Sequence, residues 1–369
     1  MLKFLLVTFT FCLNASLFAQ AADTIPPPRN NLFAIPIVFT SPETSWSFGA
    51  LGTYTFRFKG ERSESRPSQV SVATAYTLNK QILFYVPFRL YWNDEKYLTY
   101  GEIGYYKYNY FFHGIGNDQD SQFEELYDVN YPRIRWNMLY QINPKTSIGL
   151  RYQWDDYDVK TARLDPEGQL TEGEITGSQG GVVSGIGAVM NYDSRDNIIY
   201  PHDGFFIETV ALYNTTALGS DFDYTKFSVD VATYLETKWQ HILALNFYSE
   251  FIGGDAPFNE LAFLGGNRKM RGYYGGRYRD NHLLTVQAEY RFPLFWKFKM
   301  AVFAGYGSVA DEISNFEIND FRLAYGAGLR YQINSEGLHI RADYGIGGVL
   351  EEGSPVRSSG LYLTLGEAF

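Results

Sequence analysis

Hydrophobic and polar residues alternate one by one along much of this chain, most regularly in its last third. Between residues 284 and 291, alternate positions carry the apolar residues Leu284, Val286, Ala288 and Tyr290. The positions between them carry Thr285, Gln287, Glu289 and Arg291, and we call such a set of alternate polar positions the polar parity of a strand. Successive side chains of a β-strand point to opposite faces, so a period of two predicts strands with one apolar and one polar face. The same alternation recurs at 322–330 and 338–344, where arginine, histidine and aspartate share the polar parity.

Turn residues between these runs divide the chain into sixteen candidate strands of an all-β antiparallel fold. The strands are expected to begin near residues 33, 46, 68, 81, 98, 131, 146, 180, 204, 223, 240, 282, 298, 321, 337 and 358. Long connections at 108–130, 156–179, 252–281 and 309–320 all follow odd-numbered strands, whereas short turns at 143–145 and 334–336 follow even-numbered ones. Long loops at one end and short turns at the other predict a transmembrane β-barrel of sixteen strands.

Composition supports a membrane barrel over a soluble sandwich, which would also show alternation. Aromatic residues make up 18% of the chain, which suits the aromatic girdles at the two membrane interfaces. No stretch after the amino-terminal apolar run has the roughly 20 apolar residues that a spanning helix needs. The formal net charge of −10 argues against a nucleic-acid partner.

The first 30 residues are expected to have two parts. Lys3 precedes a mostly apolar run at 4–13, and small residues near 19–21 offer a cleavage site, so residues 1–21 are expected to be a removable signal peptide. Residues 22–30, with prolines at 26–28, are expected to form a short periplasmic tether before a barrel at 31–369. Cys12, the only cysteine, lies in the signal segment, so no disulfide framework or cysteine nucleophile is expected.

One stretch, residues 263–280, combines glycine, arginine and tyrosine between two strand-like segments. Its five glycines permit backbone angles closed to other residues, and its four arginines can reach for acceptors. The segment resembles the inward-folded sixth outer loop of the BamA/TamA superfamily of outer-membrane barrels. The residues that carry this resemblance are Gly265, Gly266, Met270, Arg271, Gly272 and Tyr273, followed by 276–280.

The resemblance implies an insertase or translocase that moves protein or lipid into or across the bacterial outer membrane. It covers the barrel alone, because the short tether leaves no room for the polypeptide-transport-associated domains that precede the barrel in BamA-like proteins. A passive or substrate-specific channel, and a structural or surface-interaction barrel, remain as alternatives. The expected partners are outer-membrane lipid, including lipopolysaccharide, and a protein partner or substrate that the residues do not identify.

The resemblance also implies that the arginine of the folded-in loop is held by acids on the inner wall. Arg271 is therefore expected to enter the lumen and pair chiefly with Glu289, which lies on the polar parity of the next strand. Residues 303–307 resemble the F-x-D-x-G strand motif of the family, but Gly305 occupies the aspartate position. Asp343 is the candidate for the missing second acid.

A second stretch resembles the periplasmic turn between strands eight and nine of the family. It consists of Asp193, Arg195, Asp196, Tyr200, Pro201 and Gly204. Proline and glycine are turn residues and the charged side chains can cap strand ends, so a structural role is expected.

The seam between the first and last strands is expected to be weak. Pro36 has no amide hydrogen for the ladder, and Gly366 adds no packing and favours a bend. Two interpretations remain open. The proline could mark a lateral opening at the seam, or it could lie at a bulge or point its nitrogen toward the lumen without any opening. On the last strand, Leu361, Leu363, Leu365 and Phe369 are expected to face one way, as in the terminal signal that the assembly machinery reads, with Glu367 interrupting the row.

No enzyme chemistry is predicted. The chain has no G-x-S-x-G elbow, and its five histidines are scattered without metal-ligand spacing. Catalytic residues, a metal site and a cofactor are therefore not expected.

Overall fold

A computed structural model of the protein describes residues 30–41, 45–62, 65–118, 123–160, 168–333, 337–348 and 358–369. The expected signal peptide and residues 22–29 of the expected tether lie outside this part. The strands are β1 Asn30–Ser41, β2 Ser45–Phe56, β3 Ser68–Thr77, β4 Ile82–Trp92, β5 Tyr97–Phe112, β6 Glu125–Asn143, β7 Thr146–Lys160, β8 Gly181–Asp193, β9 Gly204–Asn214, β10 Tyr224–Glu236, β11 Ile242–Gly254, β12 Ala262–Leu264, β13 Tyr278–Asp280, β14 His282–Phe295, β15 Phe298–Ala310, β16 Arg322–Gln332, β17 His339–Gly347 and β18 Ser359–Leu365.

Helical structure in the described part is limited to the short α-helix α1, Gln169–Glu172, and four single 3₁₀ turns. The 3₁₀ turns span Thr216–Leu218, Lys238–Gln240, Ile313–Asn315 and Ile318–Asp320. No described helix has the length and apolar character required to cross a membrane.

Sixteen strands form one antiparallel sheet in which sequence neighbours pair, with β11 followed directly by β14. This confirms the predicted strand number, and every predicted start except the sixth lies within three residues of the observed one. The loop expected at 108–130 is shorter, because β5 and β6 stay paired as far as Phe112 and Glu125. Phe112 and Tyr127 turn inward there and contact the ring of Phe258 at 5.5 and 5.2 Å, and this packing extends the two strands.

The two-residue period places apolar side chains outside and polar ones inside, as predicted. On β14, Val286 is 51% exposed, whereas Glu289 and Arg291 are fully buried in the lumen. Lipid would cover the outer face, so its exposed apolar residues are those of a membrane-facing wall.

The protein core lies inside the lumen, where residues 255–281, here called the folded-in loop, occupy the space between the walls. Within this loop, β12 pairs with β13 in a separate two-stranded sheet. Leu264, Met270 and Tyr273 of the loop are buried together with inward side chains of the wall.

β1 and β18 stand at the two ends of the strand order, and no backbone pairing joins them within the described residues. β1 pairs with β2 in unbroken register, with the exposed Pro36 opposite Ala50. The bulge considered for Pro36 is therefore absent from the β1–β2 pairing. β1 begins at Asn30, one residue before the expected start of the barrel.

The last strand ends at Leu365, and the following residues turn into the lumen. Gly366 adopts a φ of 78°, and its amide donates to the carbonyl of His339 at 2.9 Å. Leu361 and Leu363 face outward as expected, but Phe369 packs against a lumenal cluster that contains Tyr200 and Tyr234. The expectation that Phe369 shares the outward row is wrong, because the left-handed glycine redirects the chain. The side chain of Leu365 lies outside the described part.

Candidate functional site

Glycine lets the folded-in loop turn tightly. Gly265 and Gly266 have φ angles of 107° and 86°, and their amides donate to the carbonyls of Lys269 at 2.7 Å and Tyr273 at 3.0 Å. Gly272 has a φ of 120°, and a Cβ there would lie 2.8 Å from the carbonyl carbon of Ile346. A side chain at this position would therefore be strained by its backbone and would also collide with β17.

Arg271 lies at the tip of this turn and is 1% exposed. Its Nη2 lies 2.6 Å from Glu289, and its Nη1 forms a second ion pair with Asp343. The guanidinium carbon lies 3.6 Å from the ring centroid of Phe303. The arginine thus contacts both acids named from the sequence and an aromatic face, which is a strongly charge-assisted environment.

The wall beside this arginine is lined by glycine where other strands carry side chains. A Cβ at Gly305 would lie 3.1 Å from Cγ of Met270. A Cβ at Gly345 would lie 2.7 Å from the amide nitrogen of Gly272. The glycine that replaces the family aspartate therefore makes room for the loop, and Asp343 supplies the carboxylate from another strand.

The two acids are shared with other arginines of the wall. Arg330 lies 3.2 Å from Glu289 and 2.5 Å from Asp343, and Nε of Arg291 lies 2.7 Å from Glu289. Sequence reasoning placed these residues on the polar parity but missed this sharing. A usable signal was present, because Arg330 and Asp343 occupy inward positions of adjacent predicted strands.

The tail after β18 joins the same network. Glu367 lies 3.4 Å from Nε of Arg330 and 3.7 Å from Nε of Arg291. Arg341 contributes a further contact, 3.4 Å from Asp343. We call this set the lumenal ion network; its members are Arg271, Glu289, Arg291, Arg330, Arg341, Asp343 and Glu367.

Each carboxylate of the lumenal ion network contacts more than one guanidinium, and all seven side chains are at most 3% exposed. Removing one partner of a buried pair typically costs about 3–5 kcal/mol, because the remaining charge loses its compensation. Glu289 contacts three arginines, so its loss would leave more uncompensated charge than the loss of Arg271.

A second ionic contact fixes the amino-terminal part of the folded-in loop. Glu260 is 5% exposed and lies 2.9 Å from Arg135 and 3.1 Å from Lys226, and the hydroxyl of Tyr157 donates to it at 2.8 Å. Burial raises the pKa of Glu260, but the positive charges of Lys226 and then Arg135 outweigh it and hold the pKa well below its usual range. The carboxylate therefore stays ionised inside the barrel.

The folded-in loop also contacts the edge strand β18. The hydroxyl of Tyr362 accepts a hydrogen bond from the amide of Gly272 at 3.0 Å and donates to the carbonyl of Tyr273 at 3.0 Å. Ser358, just before β18, donates to the carbonyl of Gly272 at 2.9 Å. The motif that carries Arg271 is thus linked to one of the two strands at the seam.

The turn between β8 and β9 is closed by its own polar groups. Arg195 forms a forked pair with Asp193 at 2.9 and 2.8 Å. Asp196 accepts hydrogen bonds from the amides of His202 and Asp203. Burial opposes ionisation of Asp196, but these hydrogen bonds lower its pKa. A Cβ at Gly204 would lie 2.5 Å from the carbonyl oxygen of Ser194, so the glycine is needed at the close approach.

Tyr200 of the same turn has a position that sequence reasoning missed. Its side chain is 2% exposed, its ring lies 4.4 Å from that of His339, and Nζ of Lys299 lies 3.8 Å from its centroid. Pro201 next to it is also buried. The turn therefore carries an aromatic residue into the lumen, beside the tail that ends with Phe369.

Comparison with known families and structures places this geometry in context. At the level of sequence, residues 53–369 match the Omp85 superfamily domain. A comparison with curated proteins found no match. Both results concern sequence, and the first agrees with the resemblance carried by the loop motif.

Several solved barrels share the fold at low identity. BamA from Haemophilus ducreyi lacking POTRA domains 1–3 matches with a TM-score of 0.60 and 11% identity, over 92% of this chain and 70% of that one. CdiB from Acinetobacter baumannii matches with a TM-score of 0.58 and 12% identity, over 90% of this chain and 59% of that one. CdiB from Escherichia coli matches with a TM-score of 0.59 and 11% identity, over 91% of this chain and 62% of that one.

Proposed function

Because the chain belongs to the Omp85 superfamily of outer-membrane barrels, we propose that it is an insertase or translocase that moves protein or lipid through a lateral opening between β1 and β18. The observation that carries this proposal is the seam. All other neighbouring strands of the sixteen-stranded sheet are paired, whereas β1 and β18 have no pairing between them in the described residues. Unpaired backbone groups cost free energy in the hydrocarbon of the membrane. The edges of β1 and β18 would therefore favour an incoming substrate strand that pairs with them transiently.

The two seam strands support this proposal by their unequal lengths. β1 has 12 residues and β18 has 7, so β18 could satisfy only part of the edge of β1 even in a closed state. Pro36 removes a further amide donor from β1. A substrate segment or lipid that approaches this edge would meet less backbone pairing than anywhere else around the sheet.

The occupied lumen favours a lateral route over a passive channel. Met270, Arg271 and Tyr273 of the folded-in loop are buried against the wall, and the outer half of the lumen is filled by a continuous cluster of apolar side chains. A solute would have to displace the ion pairs of Arg271 and Glu260 to pass along the axis. Movement of β1 away from β18 would leave both sets of ion pairs in place, because no described residue of β1 takes part in them.

A reversible covalent lock at the seam tests the proposal in cells. Cysteine pairs would be scanned between residues 32–36 of β1 and 359–363 of β18, and the pair that oxidises most fully would be chosen. The matched control is Gly52→Cys with Val72→Cys, because these residues lie opposite each other on the paired strands β2 and β3.

The readout is the protein and lipid composition of the outer membrane in cells that carry only the locked variant. The oxidised seam pair is expected to reproduce the composition of cells that lack the protein, and reduction is expected to restore the normal composition. The oxidised control pair is expected to have no effect. Full function with the seam pair oxidised would contradict a lateral opening.

A further inference from the structure

A cavity of about 470 Å³ lies on the inner wall at the end of the barrel that carries the short turns. Side chains and backbone of four successive strands, β3 to β6, line it: Gln69, Ser71, Pro87, Phe88, Arg89, Tyr100, Gly101, Glu102 and Arg135. Arg89 lies three residues before the end of β4, and Tyr100 lies three residues after the start of β5. In an outer-membrane barrel the short turns face the periplasm, so the cavity lies near the periplasmic mouth.

Arg89 differs from Arg133 and Arg135 of the neighbouring wall because no carboxylate in the described part of the chain compensates its charge. Its Nη1 donates a hydrogen bond to the hydroxyl of Tyr91 at 3.4 Å, and its guanidinium carbon lies 5.1 Å from the ring centroid of Tyr100. It forms no ion pair with a carboxylate of the described residues, and its side chain is exposed. By contrast, Arg133 and Arg135 pair with Asp155 at 2.6 and 2.5 Å.

The other charges around the cavity already have partners. Glu102 accepts a hydrogen bond from the hydroxyl of Tyr106 at 2.8 Å and lies 3.8 Å from Arg133. Arg135 contacts Glu260 at 2.9 Å in addition to Asp155. The charge left available to a ligand is therefore the positive guanidinium of Arg89.

A neighbouring amide could orient an anion that binds this guanidinium. Gln69 lies directly opposite Arg89 in the β3–β4 register and is exposed. Its Nε2 donates to the hydroxyl of Ser71 at 3.2 Å, and the second hydrogen of this amide can donate to a ligand beside Arg89. Ser71 lies on the same face one pair further along and is 3% exposed. Its hydroxyl contacts that of Thr53 at 2.8 Å and accepts from Gln69, so Ser71 positions the amide of Gln69. A planar guanidinium beside an amide donor can bind the oxygens of a phosphate through forked hydrogen bonds.

We propose that this cavity binds a phosphate group that enters from the periplasmic side, with Arg89 as the anion-binding residue and Gln69 as an orienting donor. Stacking on Tyr100 restricts the guanidinium, and its Nε and Nη2 groups can donate to the ligand while Nη1 donates to Tyr91. The phosphate could belong to a soluble phosphomonoester or to the headgroup of a phospholipid, since both present the same oxygens. This site is separate from the lumenal ion network and from the seam.

Two probes distinguish the sources. Glycerol 3-phosphate would be titrated into the full-length protein in neutral detergent by isothermal titration calorimetry. Phosphatidylglycerol bound to the protein would be measured by native mass spectrometry after exchange from mixed micelles. The variants are Arg89→Gln, Gln69→Ala and the control Arg62→Gln, an exposed arginine of the neighbouring turn that pairs with Asp94.

Saturable binding of either probe is expected, with an affinity at least about tenfold lower in Arg89→Gln, because one charge-assisted interaction is lost. Gln69→Ala is expected to weaken binding severalfold, and Arg62→Gln is expected to bind as the unmodified protein does. Binding of glycerol 3-phosphate would identify a soluble ligand class, and binding of phosphatidylglycerol alone would identify a lipid headgroup. Absence of saturable binding for both probes, or equal binding by Arg89→Gln in a protein that retains its folded band on gels, would overturn the proposal.

Discussion

The hydroxyl of Tyr362 on β18 accepts a hydrogen bond from the amide of Gly272 in the folded-in loop at 3.0 Å. Gly272 follows Arg271 directly, so the residue that anchors the loop and the residue that contacts the edge strand are neighbours in the chain. The position of the loop and the position of β18 are therefore coupled through one side chain. An event that withdraws the loop would also release β18 from its inner contact.

Tyr362→Phe tests this coupling with the smallest possible change. The variant loses the hydrogen bonds to Gly272 and Tyr273, and each is expected to contribute about 0.5–1.5 kcal/mol to the free energy of unfolding. The temperature at which the compact gel band converts to the unfolded band should fall. Tyr344→Phe is the control, because Tyr344 on β17 faces outward and is 51% exposed. An equal effect of the two substitutions would show that the loop contact adds no stability.

Arg271→Ala, Glu289→Ala and the double variant form a mutant cycle across the central ion pair. Glu289→Ala is expected to cost about 3–5 kcal/mol of unfolding free energy, because it leaves three buried arginines with less compensation. Arg271→Ala should cost less, since Asp343 and Glu289 retain other arginines. The double variant should be less destabilised than the sum of the two, as measured by urea unfolding in lipid vesicles. Additive effects would mean that the two side chains do not interact.

Gly345→Ala should expel the folded-in loop. The new Cβ would lie 2.7 Å from the amide of Gly272, and backbone on both sides prevents an easy adjustment. We expect faster proteolysis within 263–280 and a higher single-channel conductance, because the lumen loses its occupant. Gly275→Ala is the matched control in the same loop, where the nearest atom to the added Cβ would be 3.7 Å away. Unchanged conductance and proteolysis in Gly345→Ala would contradict the tight contact between loop and wall.

The ionised Glu260 predicts a dependence of stability on acid pH. Its pKa in the folded protein lies well below its usual range, and the unfolded side chain titrates near about 4.3. Its contribution is therefore fully present above that value and is lost as the pH falls toward the folded pKa. The unfolding temperature should decline between about pH 5 and pH 3, and Glu260→Gln should flatten this decline.

A control for the acid effect is Glu317→Gln, in the exposed outer loop between β15 and β16. This substitution should leave the pH profile as it is in the unmodified protein. A profile in Glu260→Gln with the same slope as the unmodified protein would show that other carboxylates account for the acid sensitivity.

Alternation and turn chemistry were sufficient to predict most of the wall. The inward parity of Glu289, Arg330 and Asp343 follows from the two-residue period, which depends on the local backbone alone. The sixth strand begins at Glu125, six residues before the start that the pattern predicts, since its extension depends on packing of Tyr127 against Phe258 from a distant loop. The alternation of apolar and polar residues along one strand does not reveal contacts that a side chain makes across the lumen.

The tail and the turn show the same limit. The two-residue period predicts that the outward row of Leu361 and Leu363 continues to Phe369, but the left-handed Gly366 and the attraction of Glu367 to Arg330 turn the chain inward. The sequence predicts only that Tyr200 lies in a turn, because its insertion beside His339 depends on the curvature of the whole sheet. Several arginines share Glu289 and Asp343, and predicting this sharing likewise requires the distances between strands, which the sequence does not give.

The distance across the seam is the most direct test of lateral opening. Spin labels would be attached at Leu32 on β1 and Leu361 on β18, both exposed on the outer face, and measured by pulsed electron resonance in lipid bilayers. Labels at Gly52 and Val72 on the paired strands β2 and β3 provide the reference distribution. A lateral opening predicts a broad or two-peaked distance distribution at the seam, with the longer distances increased by Tyr362→Phe, and a narrow distribution for the reference pair. A narrow seam distribution that matches the reference and does not respond to Tyr362→Phe would contradict it.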